Sequence, residues 1–416
     1  MEFSRDINLE QLVNRMNNGM IKVITGMRRC GKSYLLYNIF RNYLINTGIN
    51  EDHIICVHLD DYDNAELLDP NRLNAYIKEQ ILDSENYYIL LDEIQLVPDF
   101  ESLLNGLLYK GNLDVYVTGS NSKFLSSDII TEFRGRGDEV RVRPLTFSEI
   151  YSATGGDKRD CLEEYLHFGG MPLCVLARTQ EQKQQYLMNL YQTIYLRDLK
   201  ERHTIDHPEE FGELFEMLAS GIGSLTNPKK LSDTFKSVKK SSISPDTVSR
   251  YIDYTRDAFI VDKAVRYDIK GKKYISTPSK YYFSDLGIRN AILKYRQYEP
   301  NHIMENLIYN ELCYRGFEVD VGTVIKNGVN ENGNGSKDRL EVDFVANKGY
   351  KRFYIQSVYR MDNDEKIAQE QRSLDCIKDS FTKVLIVFDS TIHYQNEKGY
   401  LVIGLLDFLM NKDLIN

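Results

Sequence analysis

No apolar run in this chain approaches the roughly 18 residues of a membrane span. Met1-Glu2-Phe3-Ser4-Arg5-Asp6 lacks the apolar core of a signal peptide. Cys30, Cys56, Cys161, Cys174, Cys313 and Cys376 lie far apart with no C-x-x-C spacing, which argues against a zinc site and against a disulfide framework. These absences lead us to expect a cytoplasmic chain with no membrane partner. What is present is an ordinary globular balance, 42% hydrophobic and 27% charged residues over 416 positions. At roughly 150 residues per domain, that length suggests two to four domains. The net charge of −9 is unevenly spread: Pro228 to Tyr281 holds thirteen Lys/Arg against six Asp, a local +7 in an otherwise acidic chain. A basic island of this kind points to a polyanionic partner for that segment alone.

The strongest local signal is Gly26-Met27-Arg28-Arg29-Cys30-Gly31-Lys32-Ser33, which matches G-x-x-x-x-G-K-[ST]. An apolar run, Ile21 to Thr25, leads into it, and Leu35, Leu36, Ile39, Phe40, Tyr43 and Leu44 follow at helical spacing. Strand, glycine loop and helix is the context that makes such a motif a P-loop. Gly26 and Gly31 allow the backbone to fold its N–H groups around phosphate oxygens at the positive end of a helix. Lys32 is the expected contact to the outer phosphates and Ser33 the expected Mg²⁺ ligand. Met27, Arg28, Arg29, Cys30 and Tyr34 complete the expected nucleotide-binding stretch, with Cys30 as packing rather than chemistry.

Residues 1–155 alternate strand and helix, so the expected core is α/β with a parallel sheet. Polar clusters close three of its strands: Asp60-Asp61, Asp92-Glu93 and Gly119-Ser120-Asn121-Ser122. Ligands in such sheets sit at the strands' C-terminal ends. Asp92 is expected to hold Mg²⁺, and Glu93 to polarise the attacking water. Asn121 is a candidate for orienting that water. Arg134 and Arg136, set beside glycines, are candidates for a finger that neutralises charge on the outer phosphate. Residues 156–205 read as a small helical lid broken at Phe168-Gly169-Gly170-Met171-Pro172.

The basic island reads as three helices and a hairpin over 206–285, a winged helix-turn-helix able to meet DNA through basic segment 229–280 or to contact protein. Asp246 and Asp253 on the outer face of its third helix weaken the DNA reading. Residues 286–416 give an order resembling the restriction-endonuclease-like fold. There Glu305 and Asp343 occupy acidic positions, while the usual (D/E)-x-K reads Gln356-Ser357-Val358. A neutral amide is a poor Mg²⁺ ligand and Val358 supplies no ammonium, so a nuclease-like domain without cleavage activity is expected. Lys351 and Arg352 stand just upstream as alternative cations.

The set as a whole resembles the prokaryotic AAA-type ATPases of the archaeal-ATPase branch, which are related to the STAND proteins and carry a C-terminal nuclease-like region. The residues that carry it include Leu90-Leu91-Asp92-Glu93, Thr118-Gly119-Ser120-Asn121, Gly169-Gly170-Met171-Pro172, Tyr195-Leu196-Arg197-Asp198, Tyr281 to Asp285 and Glu341-Val342-Asp343-Phe344. The resemblance implies an ATP-binding, AAA+-like P-loop core, with Gly170 and Pro172 touching the nucleotide and Arg136 rather than Arg134 as the finger. Two functions remain open from sequence. One is a Mg²⁺-dependent ATPase that binds and remodels DNA as a homo-oligomer; the other is a nucleotide-gated switch that acts through protein partners.

Overall fold

Strands that can be buried on both faces form the first sheet. The computed structural model describes residues 2–119, 133, 135–329, 335–360, 364–389 and 393–415. Its first five strands are β1 (Ile21–Thr25), β2 (Ile54–His58), β3 (Tyr87–Asp92), β4 (Leu113–Thr118) and β5 (Gly137–Arg141). They lie side by side in the order β2-β3-β4-β1-β5, with every neighbouring pair parallel. β1, β3 and β4 are buried along their whole length, as expected of a parallel sheet covered on both faces. Val23, Ile55, Ile89, Leu91, Val115 and Val117 pack against Leu73, Ile77, Phe100 and Leu104. Each such side chain adds on the order of 1.5–3 kcal/mol by leaving water. Lys22, in the middle of β1, is the exception. It is paired with the Asp114 carboxylate of β4 and donates to Met20 O at 2.9 Å, so its buried charge is compensated. The surrounding apolar phase still lowers its pKa, because burial outweighs that pairing.

Residues 32–46 are helical, with a π-helical turn over Leu35–Phe40, and bury Leu35, Leu36, Phe40 and Leu44 as the spacing predicts. The compact unit built on this sheet comprises Met1–Leu145, Met171–Leu173 and Asp257–Phe259.

The second unit takes the rest of the chain. Three helices, Pro208–Ser220, Pro228–Thr234 (helical on to Lys239) and Pro245–Asp257, fall where the sequence pattern puts them. The last buries Val248, Tyr251, Ile252 and Thr255, the expected inner face. The hairpin that follows, β6 (Val261–Asp268) and β7 (Lys273–Phe283), is not a free-standing wing. It forms one edge of an eight-stranded sheet with β8 (Glu318–Val329), β9 (Gly335–Lys348), β10 (Lys351–Val358), β11 (Thr382–Val387), β12 (Tyr394–Gln395) and β13 (Leu401–Gly404), in the order β12-β13-β11-β10-β9-β8-β6-β7. The physical reason is in β7. Its tip is exposed, but Ser279 to Phe283 are buried at every position and need cover on both faces. Pairing of Arg266, Tyr267 and Asp268 with Val321, Gly322 and Thr323 joins the hairpin to β8.

Candidate functional site

Where β1 ends, Gly26 turns at φ 142°, and a Cβ there would overlap the Val142 carbonyl. Only glycine fits that approach. Arg5 closes the loop from behind, its guanidinium donating to Cys30 O and to Arg143 O (2.8 Å). Sequence reasoning gave Arg5 no role, because an isolated arginine near a terminus carries no pattern. Cys30 is buried beside Val142 O, a packing residue as expected, and Met27 is buried as well. Arg28, Arg29 and Tyr34 are exposed. Lys32 is buried within the loop, where its ammonium donates to Gly26 O (3.2 Å) and Met27 O (3.1 Å).

β4 stands between β1 and β3, so the end of β4 can bridge the loop and the Asp92-Glu93 pair. Thr118 does this. Its hydroxyl donates to the Asp92 carboxylate and accepts from the Glu93 N–H at 3.0 Å. The Ser33 hydroxyl lies close enough to the same carboxylate to ease its charge. Burial pushes the Asp92 carboxyl above its ordinary pKa, and the Thr118 and Ser33 hydroxyls oppose that shift. Glu93 follows in left-handed backbone (φ 52°), with its carboxylate held by the Gln95 amide. A non-glycine residue there stores on the order of 1 kcal/mol of strain, a feature that collects at functional positions.

Of the remaining expected residues, Pro172 packs in the first unit beside Gly31, with its Cγ 3.8 Å from where a Gly31 Cβ would stand. The Gly170 N–H donates to the buried Asp285 carboxylate at 2.7 Å, in the second unit. Burial pushes that carboxyl up to about 6, against the N–H groups of Gly170, Ile288 and Gly287. Arg136 is exposed, its guanidinium 5.1 Å from the centre of the Tyr109 ring. Asn121 and Arg134 lie outside the described residues.

A second polar cluster sits in the eight-stranded sheet. Glu305, on the helix Pro300–Tyr314, accepts from Lys280 Nζ (2.7 Å) and the Tyr282 hydroxyl (2.5 Å), both on β7. Glu341 of β9 closes on the same ammonium at 2.6 Å. Asp343 accepts the Ser357 N–H at 2.8 Å, while the Gln356 amide oxygen turns to the Asp343 N–H at 3.4 Å. Burial, reinforced by Glu305, pushes Asp343 up to about 8. Burial would raise Glu305 too, but Lys280, His302 and Tyr282 outweigh it and hold that carboxyl below its ordinary range. Lys280, despite burial, is raised by the three carboxylates around it. The cluster therefore holds an ammonium that the motif position does not supply. Val358 is buried and apolar as foreseen, but β7 brings in a lysine from outside the motif. Arg352 is engaged elsewhere, bonded to Asn347 Oδ1 (2.7 Å) and set over the Tyr267 and Phe381 rings.

The basic island is less open than its charge count implies. Lys280 is internal, and Arg266 is buried, donating to Pro278 O (3.0 Å) and Thr277 O (2.8 Å). Arg250 pairs with Asp206 at 3.2 Å and Arg256 with Asp253 at 2.8 Å. Lys229, Lys230, Lys236 and Lys240, and Lys270, Lys272 and Lys273 at the hairpin tip, are exposed. Among the described residues no helix is long and apolar enough to cross a membrane.

A family model described as "AAA domain" matches residues 18–151, and one described as "Domain of unknown function (DUF8612)" matches residues 159–299. An uncharacterized protein of Haemophilus influenzae is 32% identical over 414 residues, covering 98% of this chain and 98% of its own. The uncharacterized protein MJ1544 of Methanocaldococcus jannaschii is 28% identical, covering 90% of this chain and 82% of its own. Among solved structures, Cdc6p from Pyrobaculum aerophilum overlaps 73% of this chain and 94% of its own at 14% identity, with a TM-score of 0.31 that carries no argument about ligands.

Proposed function

The chain belongs to the AAA-domain family, and from that premise we propose that it is a Mg²⁺-dependent ATPase that binds and remodels DNA as a homo-oligomer. The observation that carries the ATPase reading is the bonded group Asp92, Thr118 and Glu93 at the strand ends, with the Ser33 hydroxyl beside Asp92 and the Lys32 loop next to it. Ser33 and Asp92 offer hard oxygen donors, which suit Mg²⁺, and would hold the ion against the nucleotide. When bound, Mg²⁺ neutralises charge on the phosphates. Lys32 exchanges its two carbonyl partners for phosphate oxygens, an exchange that keeps an ammonium satisfied in both states. Glu93 takes the proton of the attacking water. Pro172, beside Gly31, meets the nucleotide from the lid.

No lysine or arginine pairs with Asp92 among the described residues. We therefore assign Arg136 as a finger that acts on a neighbouring subunit's nucleotide, with Arg134 as the alternative. Mixing an Arg136→Ala chain with a Lys32→Ala chain, each inactive alone, should restore part of the turnover through one intact interface. Full turnover by a subunit shown to be monomeric at high dilution would sink the assignment.

DNA contact is assigned to the exposed lysines of 229–240 and of the hairpin tip, in a winged-helix arrangement. If four of them meet phosphates, retention should fall roughly a hundredfold between 50 and 200 mM salt. Retention of duplex, forked or four-way DNA should be measured at both salts. If no such DNA is retained even at low salt, the DNA reading fails and the alternative takes its place: a nucleotide-gated switch whose second unit binds protein. The ion pairs of Arg250 and Arg256, which neutralise the outer face of the third helix, favour that alternative.

A further inference from the structure

His58 and Asp60 have no part in the reading so far, yet both stand at the Asp92 carboxylate. His58 is the last residue of β2 and is in register with Asp92, the last of β3. Paired residues on neighbouring parallel strands point to the same face, about 4.8 Å apart. The two side chains therefore converge by construction, with His58 Nδ1 4.0 Å from Asp92 Oδ2. Asp60 lies just beyond the strand, and one donor atom from each of His58, Asp60 and Asp92 falls within 4.8 Å of the other two. This is the one such metal-capable group among the described residues.

The imidazole is also held. Its ring centre is 3.9 Å from that of Tyr37, on the helix that follows the P-loop. The Tyr37 hydroxyl is anchored on the carbonyls of Val57 (2.7 Å) and Leu90 (3.2 Å). With one face against Tyr37, the imidazole presents its nitrogen-bearing edge to Asp92. A separation of 4.0 Å is too long for a His–Asp hydrogen bond. It does suit two donors of one cation, since ligands at about 2.1 Å from an octahedral ion stand about 3–4 Å apart.

We infer that His58 and Asp60 complete the donor set of the cation that Ser33 and Asp92 hold, and that the imidazole makes this site favour Mn²⁺-type transition cations over Mg²⁺. Carboxylate and hydroxyl donors alone suit both ions, whereas imidazole nitrogen is a transition-metal ligand.

The inference rests on the nucleotide-binding reading, and the two can fail separately. The experiment uses the full chain with Mn²⁺ and ADP. Electron spin echo modulation reads nitrogen directly bound to Mn²⁺, and Mg²⁺ competition reads the preference. The wild type should show imidazole nitrogen coupling. His58→Ala should lose that coupling and lower the Mn²⁺/Mg²⁺ affinity ratio about tenfold, the lower end for loss of a tuning group around a metal. Metal-free ADP binding should be unchanged. Asp60→Asn should weaken both ions and keep the coupling. Mn²⁺·ADP bound without imidazole nitrogen, or an unchanged ratio in His58→Ala, would overturn the inference alone. Absence of any ADP or Mn²⁺·ADP binding by the wild type would overturn the nucleotide reading and this inference with it.

Discussion

The two units each bury a carboxylate cluster, and they balance its charge in opposite ways. At the end of β3, Asp92 is met by hydroxyls and by an imidazole at 4.0 Å, while the nearby Lys32 turns to backbone carbonyls instead. On the eight-stranded sheet, Glu305, Glu341 and Asp343 surround an ammonium that belongs to the chain itself. A carboxylate taken out of water must either gain a cation or gain a proton. Among the described residues no lysine or arginine of the chain pairs with Asp92 of the first cluster. The second already contains one, and the carboxyl that Lys280 serves least, Asp343, is driven toward the protonated form. Under the proposed function the first arrangement is completed by binding, whereas the second ties a helix to two strands within the chain itself.

The largest effects should fall on the first cluster. Lys32→Ala removes the proposed phosphate contact and should weaken nucleotide retention by about 10²–10⁴-fold, two charge-assisted bonds at about 1.5–3 kcal/mol each. Glu93→Gln spares the loop and should leave retention within a few-fold. Its turnover should drop by about 10²–10⁴, the usual contribution of a positioned base. Fluorescent-nucleotide titration and phosphate release separate the two variants. Near-normal turnover in Glu93→Gln would mean that the water is activated by another group and that the cluster's division of labour is wrong.

For the second cluster the same kind of change should strike stability. Lys280→Met leaves Glu305 buried without its counter-ion, a loss of about 3–5 kcal/mol when one partner of a buried pair is removed. Urea unfolding of the second unit reads it, and Glu305→Gln in the same chain should recover part of the loss. Because the ammonium already fills the cluster, the wild type should not nick supercoiled plasmid with Mg²⁺ or Mn²⁺. Metal-dependent nicks that vanish in Asp343→Ala would show that the cluster takes a metal after all.

These contrasts mark where the sequence was legible. β1, β3 and β4 announce themselves as apolar runs because they are buried on both faces, and Asp92-Glu93 is visible because it follows such a run. β5 does not. Gly137-Asp138-Glu139-Val140-Arg141 has a single apolar side chain, and it is a strand because it pairs with β1, with Arg15 on Asp138 (2.8 Å) and Thr25 on Glu139 (2.6 Å). The lysine of the second cluster was sought two positions after Gln356, where the motif puts it, but it arrives from a strand far earlier in the chain. No local pattern encodes that. His58 is silent for the same reason, since its partner is set by strand register. Charge counting overstated the basic island because it cannot tell an exposed lysine from Lys280 or from the buried Arg266.

The smallest expected effect is also the most direct test of how the second cluster is balanced. Burial, with Glu305 adding to it, moves the Asp343 carboxyl from 3.8 up to about 8, against the pull of Lys280. The folded chain therefore keeps a proton that the unfolded chain releases between those two values. Stability from this group is complete below about 4, falls as pH rises toward about 8, and levels off above it. Between pH 6 and pH 9 the loss should be on the order of 1–3 kcal/mol, or a few degrees in Tm. Asp343→Asn keeps the side chain's shape and an oxygen for the Ser357 N–H, but it cannot titrate. Its Tm should thus change less than that of the wild type across the same interval, and the two curves should converge only toward about pH 4, where Asp343 is neutral in both states. Parallel curves would show that Asp343 is ionised throughout, with Lys280 shared evenly among three carboxylates.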